Sequence, residues 1–493
     1  MRGHTDEHDL VRRYVRSLRS LGVFDLVVWG FIVAGLALRL WRLDVMEFKR
    51  DEFRDILNAY RAAQAPWSAP LLIGEGTTLS PGIFFYQLLA VPVSVTRDPL
   101  SVTRFIALLN VAAIPGLFLV LRQIFASRVA LWATALFATA PWMIVFSRKI
   151  WNPDVLIPFL IVTLLLLVSV MRRYARWKVF AFAVFLALLT QLHLSVWLAL
   201  VPLVPLGLLS RPWRRPFDLV AGAAVFLAVY LLTLGPRTGE FIAAFPGSST
   251  QGPDAQVVRL AGHNALEYVR VSSGSGFEFL LGTGGYAAFA KRPGVRWALA
   301  GFLLYGGLAV AGFVYAIGRV ARAARGSSRH LPDVFLLMLL LMACSLQAFY
   351  LVFRIYSPPH YHVVVSLLPP LVVALFMAWS ADRFGSVGSL LARVLLVIVL
   401  IANVFFGSAF LEFINTRPGA IDGDYGQPYF VERERWKTEL ANAVRRLNDQ
   451  ASERAASPSP VPEEIRSRYE VAFVGANGTW YVRRHPVLPS ADG

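Results

Sequence analysis

Cysteine is all but missing. The 493 residues hold one, Cys344, inside an apolar run, which excludes an intramolecular disulfide and a cysteine-held metal cluster. Charge is scarce as well, at 16%, and acids are the scarcer sign: 31 Asp and Glu against 48 Lys and Arg, for a net charge of +17. No internal repeat of about 20–50 residues is visible, which argues against a solenoid or an array. What is plentiful is apolar surface. Hydrophobic residues make up 56% of the chain and mean hydropathy is +0.55, with apolar runs of about 20 residues recurring throughout. An integral membrane protein is expected. The basic residues do not gather into one patch but sit in short loops between apolar runs, the distribution that holds loops in the cytoplasm, so nucleic acid is not expected as a partner. The first apolar run follows a polar stretch and has no small-residue cleavage site behind it, so it reads as a retained helix rather than a signal peptide.

The pattern predicts a cytoplasmic N-terminus over 1–21, an all-α transmembrane domain over 22–411 and an external region over 412–493. Spans are expected at 22–41, 102–121, 129–147, 155–171, 178–191, 194–209, 216–235, 296–318, 332–353, 362–381 and 388–411, roughly eleven helices in all. Arg39 and Arg42, near the end of the first, are expected to snorkel to the interface. Residues 81–96 are short for a span and carry Pro81 and Pro92, so they are expected to lie in the interface or re-enter. Every later Arg-rich loop, including those at Arg122/Arg128, Arg172/Arg173, Arg319/Arg322 and Arg383, then falls on the cytoplasmic side. The connections 44–101, 148–154, 236–295 and 354–361 fall on the other. Gly282, Gly284 and Gly285 mark the third as flexible. The external tail is expected to carry an amphipathic helix at 430–448, a Ser/Pro linker at 452–462 and two strands near Tyr469–Val474 and Thr479–Val482, a small α/β region.

The external face collects the chemistry. Asp51 and Glu52 stand in the dense ionic stretch Lys49-Arg50-Asp51-Glu52-Phe53-Arg54-Asp55, and Asp154 follows a short loop that begins with Arg148 and Lys149. Arg354, His193, His360, Tyr361 and His362 lie in or beside other external connections. Carboxylates beside cations at a membrane surface suit transfer of a sugar from a lipid-linked phosphate: a carboxylate takes the attacking hydroxyl's proton and Arg or Lys neutralises the departing phosphate. Structural readings stand beside these. Asp51 and Glu52 also suit a helix N-terminus, and Asp154 a helix cap. Arg148 and Lys149 also suit interfacial anchors, Gln191 and His193 a satisfied pair at a helix end, and two histidines spaced by one are a weak metal signal.

The run Asp51-Glu52-Phe53-Arg54-Asp55-Ile56-Leu57-Asn58-Ala59-Tyr60 resembles the acidic motif and following helix of GT-C membrane glycosyltransferases, in particular the protein O-mannosyltransferase and lipid A aminoarabinose transferase branch. Ser80-Pro81-Gly82-Ile83-Phe84-Phe85-Tyr86 is similar to that branch's Pro-Pro-Leu-Tyr-Tyr element, and Ser147 to Asp154 to the superfamily's second external loop. The likeness covers roughly residues 20–380. It departs at Leu79-Ser80, where aminoarabinose transferases carry Glu-Lys; a phosphate-contacting lysine is thereby missing, and Arg50, Arg54 or Arg148 would replace it. The resemblance implies an inverting transfer from a polyprenyl-phosphate sugar to a lipid, glycan or protein hydroxyl, at the periplasmic face of a bacterial inner membrane. Asp51 would be the base. Glu52 and Asp154 would orient the base or acceptor, and Arg50, Arg54, Arg148, Lys149 and Arg354 would hold the donor phosphate, with His193, His360 and Tyr361 in the substrate groove. Neither metal nor cofactor is expected on that branch, although the oligosaccharyltransferase branch requires a divalent cation. Two rivals stay open: a transporter or flippase of lipid-linked sugars, and a polymerase or ligase of the O-antigen type using the 236–295 loop.

Overall fold

The computed structural model describes residues 22–64, 83–193, 195–200, 216–234, 257–326, 330–352, 357–456, 469–474 and 480–484. Among these, six helices are long and apolar enough to cross a membrane: α1 (Val23–Leu40), α4 (Pro99–Ile124), α7 (Leu156–Arg172, with a 3-10 turn from Asn152 ahead of it), α13 (Val295–Arg325), α14 (Leu331–Val352) and α16 (Gly385–Thr416). A seventh candidate is bent by 53°, a 3-10 segment at Pro359–Val365 followed by α15 (Leu368–Arg383). Pro369 and Pro370 open α15, where their missing N–H groups cost nothing. The helices at Arg176–Leu192 (α8), Ser195–Leu200 (α9) and Pro216–Leu234 (α10) cover further expected spans; 201–209 lies outside the described residues.

The span expected at 129–147 is broken. Helix α5 (Ser127–Thr139) stops ahead of Pro141, and α6 (Pro141–Phe146) restarts from it, because proline removes one helical hydrogen bond and clashes with the preceding turn. Arg39 repairs the break. It does not snorkel: its buried guanidinium donates to the Ala138 carbonyl of α5 and to Gly35 O at 2.8 Å. Gly35 is required there, since a Cβ would overlap the Ala138 carbonyl. Arg42 is the exposed one, paired with Asp44 at 2.9 Å.

Within the stretch 81–96, residues 83–95 form a helix shorter than a bilayer core. Helix α3 (Ile83–Val95) has 13 residues, about 20 Å against a core of about 30 Å, and packs along α2 (Arg50–Gln64). Just beyond it, the Arg97 guanidinium lies 4.8 Å from the centre of the Tyr60 ring in α2, and Asp98 caps α4 by accepting from Leu100 N at 3.1 Å. The chain therefore enters α4 beside the acidic segment.

Two expectations for the later chain are corrected. The stretch 236–295 is not a flexible loop where it is described: it forms α11 (Val257–Ser273) and α12 (Glu278–Ala290), with Gly282 at φ 74°. Its glycines admit the tail. Asp422, Asp424 and Tyr425 donate their backbone N–H groups to Leu281, Phe279 and Leu280 at 3.1, 2.9 and 2.9 Å, and a Cβ at Gly282 would overlap Asp422. The last transmembrane helix runs on to Thr416, and the helix expected at 430–448 is α17 (Tyr429–Ala456), extending into the stretch expected as a linker. The expected strands appear as an antiparallel pair, β1 (Tyr469–Val474) and β2 (Trp480–Arg484), with an irregularity between Val471 and Phe473.

Candidate active site

The segment between α1 and α2 turns back under a bundle of tail contacts. Tyr429 donates its backbone N–H to Met46 O at 2.9 Å, Glu47 forms a β-bridge with Pro428, and Phe48 packs edge-on against Tyr429 and Trp436, each with ring centres 5.2 Å apart. These contacts fix residues 45–49 and thereby aim the start of α2. Glu52, in the first turn, reaches back to accept from Lys49 N at 2.8 Å, which satisfies a donor that the helix leaves open.

Asp51 and Glu52 consequently part company. Asp51 projects outward with a side chain 54% exposed, held by Arg54 of the next turn at 2.9 Å. Glu52 is buried, with Lys149 Nζ 3.5 Å away. Lys149 is the hub of a buried group: its ammonium lies 2.8 Å from Glu47, which a second cation, Lys49, also approaches at 2.5 Å. On its other side Lys149 covers the Trp151 ring at 4.2 Å. Asp154 is buried beside the same charges; its backbone carbonyl accepts from Asn110 at 2.8 Å, and its carboxylate oxygens find no hydrogen bond among the described residues. Asp55, one turn beyond Glu52 on the inner face of α2, accepts from the Tyr86 hydroxyl at 3.4 Å.

Three buried carboxylates, Glu47, Glu52 and Asp154, thus share two lysines, and a fourth, Asp55, faces Arg54. Burial and the neighbouring Glu52 charge push Glu47 up to about 7 even though Lys149 and Lys49 pull the other way. Burial likewise holds Asp55 well above the usual carboxylate range, with Arg54 opposing. Burial works against the Lys149 ammonium, but Glu47, Glu52 and Asp154 outweigh it and raise its pKa. The group therefore keeps Lys149 charged and brings Glu47 into the range where it exchanges a proton near neutral pH.

A second group joins the first through Trp151. His360 stands 4.2 Å from Trp151, Tyr361 4.6 Å from His360, and His193 5.3 Å from Tyr361, all as ring-centre distances. His193 Nδ1 shares a hydrogen bond with Ser195 Oγ at 2.7 Å, and burial lowers its pKa to about 4. His362, two residues from His360, faces elsewhere, with Ser357 Oγ at 3.1 Å. No group of three or more metal-capable side chains occurs among the described residues.

The structure brings Asp51, Glu52, Lys149, Asp154, His193, His360 and Tyr361 to one end of the helix bundle. Arg148 and Lys149, expected at the donor phosphate, have protein partners here. Arg148 is buried and spends its guanidinium on the backbone carbonyls of Leu38 and Arg42, each at 2.6 Å, while Lys149 is enclosed by acids. Arg50 and Arg54 remain at the exposed start of α2. Arg354 lies outside the described residues. Sequence reasoning passed over Glu47, Lys49, Asp55 and Trp151. Asp55 was findable, since it follows Glu52 by three on a helix; Glu47 was not, because the tail creates its burial.

No family model and no curated protein sequence matches the chain. Among solved structures, ArnT from Cupriavidus metallidurans in the apo state superimposes with a TM-score of 0.53 and 15% identity, over 79% of this chain and 78% of that one. The same protein bound to undecaprenyl phosphate gives 0.50 and 15%, over 81% and 79%. The chain has the fold of GT-C membrane glycosyltransferases.

Proposed function

We propose that the protein transfers a sugar from a polyprenyl-phosphate donor to an acceptor hydroxyl at the membrane surface. One observation carries the reading: the acidic segment, the 148–154 connection and the 357–361 connection, far apart in sequence, meet at one end of an apolar bundle with the GT-C fold. That ArnT binds undecaprenyl phosphate supports a lipid-phosphate donor. The Arg-rich connections occupy the opposite end of the helices, which favours a periplasmic site in a bacterial inner membrane.

Asp51 is the proposed base because it is the acid of the group that solvent reaches. The acceptor oxygen attacks the anomeric carbon, its proton passes to Asp51, and the bond from that carbon to the phosphate oxygen breaks with inversion. Polyprenyl phosphate leaves with the electron pair, and its charge meets Arg50 and Arg54. Glu52 is a positioning residue, since its oxygens are committed to Lys49 N and Lys149. Trp151, His193, His360 and Tyr361 form the wall of the donor groove. The test is Asp51→Asn in membranes given radiolabelled undecaprenyl-phosphate mannose or undecaprenyl-phosphate aminoarabinose. Loss of about a hundredfold or more in transfer is expected; transfer at the wild-type rate would remove Asp51 as the base.

A further inference from the structure

The pair Glu47–Lys149 lies behind the proposed base, is almost wholly buried, and joins two connections about a hundred residues apart. A purely structural tie needs only two opposite charges. This one has a surplus of acid and is enclosed on every side. From α2 it faces Glu52, from the segment before α2 Lys49, from its own connection Arg148 and Asp154, and from the tail Tyr425, with Asp55 behind Asp154 and Asp424 behind Lys49. A void of about 10 Å³, room for one water, is lined by Glu47, Arg148, Lys149 and Tyr425. Arg148 Nε has no hydrogen bond among the described residues, and neither Glu47 oxygen has one beyond its lysine contacts.

We propose that Glu47 and Lys149 are a positioning pair for sugar transfer: they set the charge behind Asp51 and Glu52 and lock the acidic segment to the 148–154 connection, with the tail closing over them. This rests on the transfer reading above. The mechanism is local. Glu47 gaining or losing a proton alters its grip on Lys149, Lys149 alters its grip on Glu52, and Glu52 holds the first turn of α2, which carries Asp51. The tail enters through the Glu47–Pro428 bridge, the Lys49–Asp424 ion pair at 3.4 Å and the Tyr425 hydroxyl, which donates to Val45 O.

The experiment uses the full chain in nanodiscs and two readouts. In the first, transfer from undecaprenyl-phosphate mannose or undecaprenyl-phosphate aminoarabinose is followed against pH. Wild type shows a limb near pH 7. Glu47→Gln loses that limb and roughly tenfold to a hundredfold in kcat at unchanged donor KM, the signature of misplacement rather than lost binding. Lys49→Met moves the limb to higher pH, because removing a cation raises the Glu47 pKa further; it also serves if Glu47→Gln fails to fold. A limb unchanged in both variants overturns the proposal. In the second readout, Trp151 emission, isolated by difference against Trp151→Phe, is titrated without substrate. An inflection near pH 7, absent in Glu47→Gln, supports the pair by way of the Lys149 ammonium on the Trp151 ring; a flat wild-type titration overturns it. If neither donor is turned over but the inflection is present, the transfer reading fails while the pair's charge coupling stands.

Discussion

Charge is handled in opposite ways at the two ends of the bundle. At the Arg-rich end three ion pairs among the described residues each join one acid to one base that solvent reaches: Arg128 with Asp382 at 2.8 Å, Arg176 with Asp218 at 3.3 Å, Arg319 with Asp333 at 2.6 Å. At the other end Lys149 is 8% exposed and shared among several acids, and Arg148 gives its two terminal nitrogens to backbone carbonyls. Paired surface charges anchor helices at little cost or gain. Buried, unevenly matched charges are costly to assemble, and a fold that keeps them in one place points to where its chemistry lies.

The sharpest way to break this contrast is Lys149→Met, which strands buried acids without their cation. Such a loss costs about 3–5 kcal/mol, so a large drop in melting temperature is expected in detergent or nanodiscs. The sign with pH follows. Without Lys149 the folded-state pKa values of Glu47 and Asp154 rise further above their unfolded values, so the folded chain binds more protons. The variant's stability is then greatest at acid pH and falls as pH rises through those values. A variant as stable as wild type at pH 8 would show that the cluster is solvated, and the contrast between the ends would vanish.

Asp51→Asn separates activity from stability at the same end. Its carboxylate is mostly exposed and its Arg54 partner is one turn away on the same helix, so about 0.5 kcal/mol or less of stability is at stake while transfer falls steeply. A melting temperature that dropped as far as in Lys149→Met would place Asp51 inside the structural cluster instead. Tyr429→Phe probes the tail's hold from outside. Its hydroxyl donates to Asp98 at 3.1 Å, and removing that bond costs about 1 kcal/mol. Unchanged stability would show that the tail is held without this hydroxyl, by its backbone bonds and the packing on Phe48.

Much of this was legible in the chain because membranes impose simple rules. Apolar length marked the long helices, Arg distribution marked one end of them, and the expected short segment at 81–96 appears as a helix of 13 residues over Ile83–Val95. The acidic stretch was visible as a place, yet the division of labour within it was not. Asp51 and Glu52 are neighbours in sequence, and only the helix start at Arg50 sends one outward and the other in. Glu47 and the tail were illegible for another reason. Their partners, Pro428 and Tyr429, lie some 380 residues away, and no local periodicity reports a contact of that range. Arg39 misled because burial of an arginine against carbonyls is set by a proline break about a hundred residues later. The partners that Arg148 and Lys149 take here, Leu38, Arg42 and Glu47, were illegible for the same kind of reason.

The smallest effect is expected at the Arg-rich end and completes the contrast. Arg128 donates to the Asp382 carboxylate at 2.8 and 2.9 Å and to Ala378 O at 3.2 Å, and its guanidinium lies 5.5 Å from the Trp132 ring centre. Asp382 is 71% exposed, so water competes for every one of its oxygens. Asp382→Asn should therefore cost about 0.2–1 kcal/mol and no more, shrinking as salt is raised from about 0.1 M to 1 M, where screening falls to a few ångströms. Transfer should not change, because this pair sits at the far ends of α5 and α15 from Glu47 and Lys149. Should Asp382→Asn instead alter the pH limb of transfer, the two ends would be coupled through those helices, and the separation drawn between anchoring and chemistry would have to be given up.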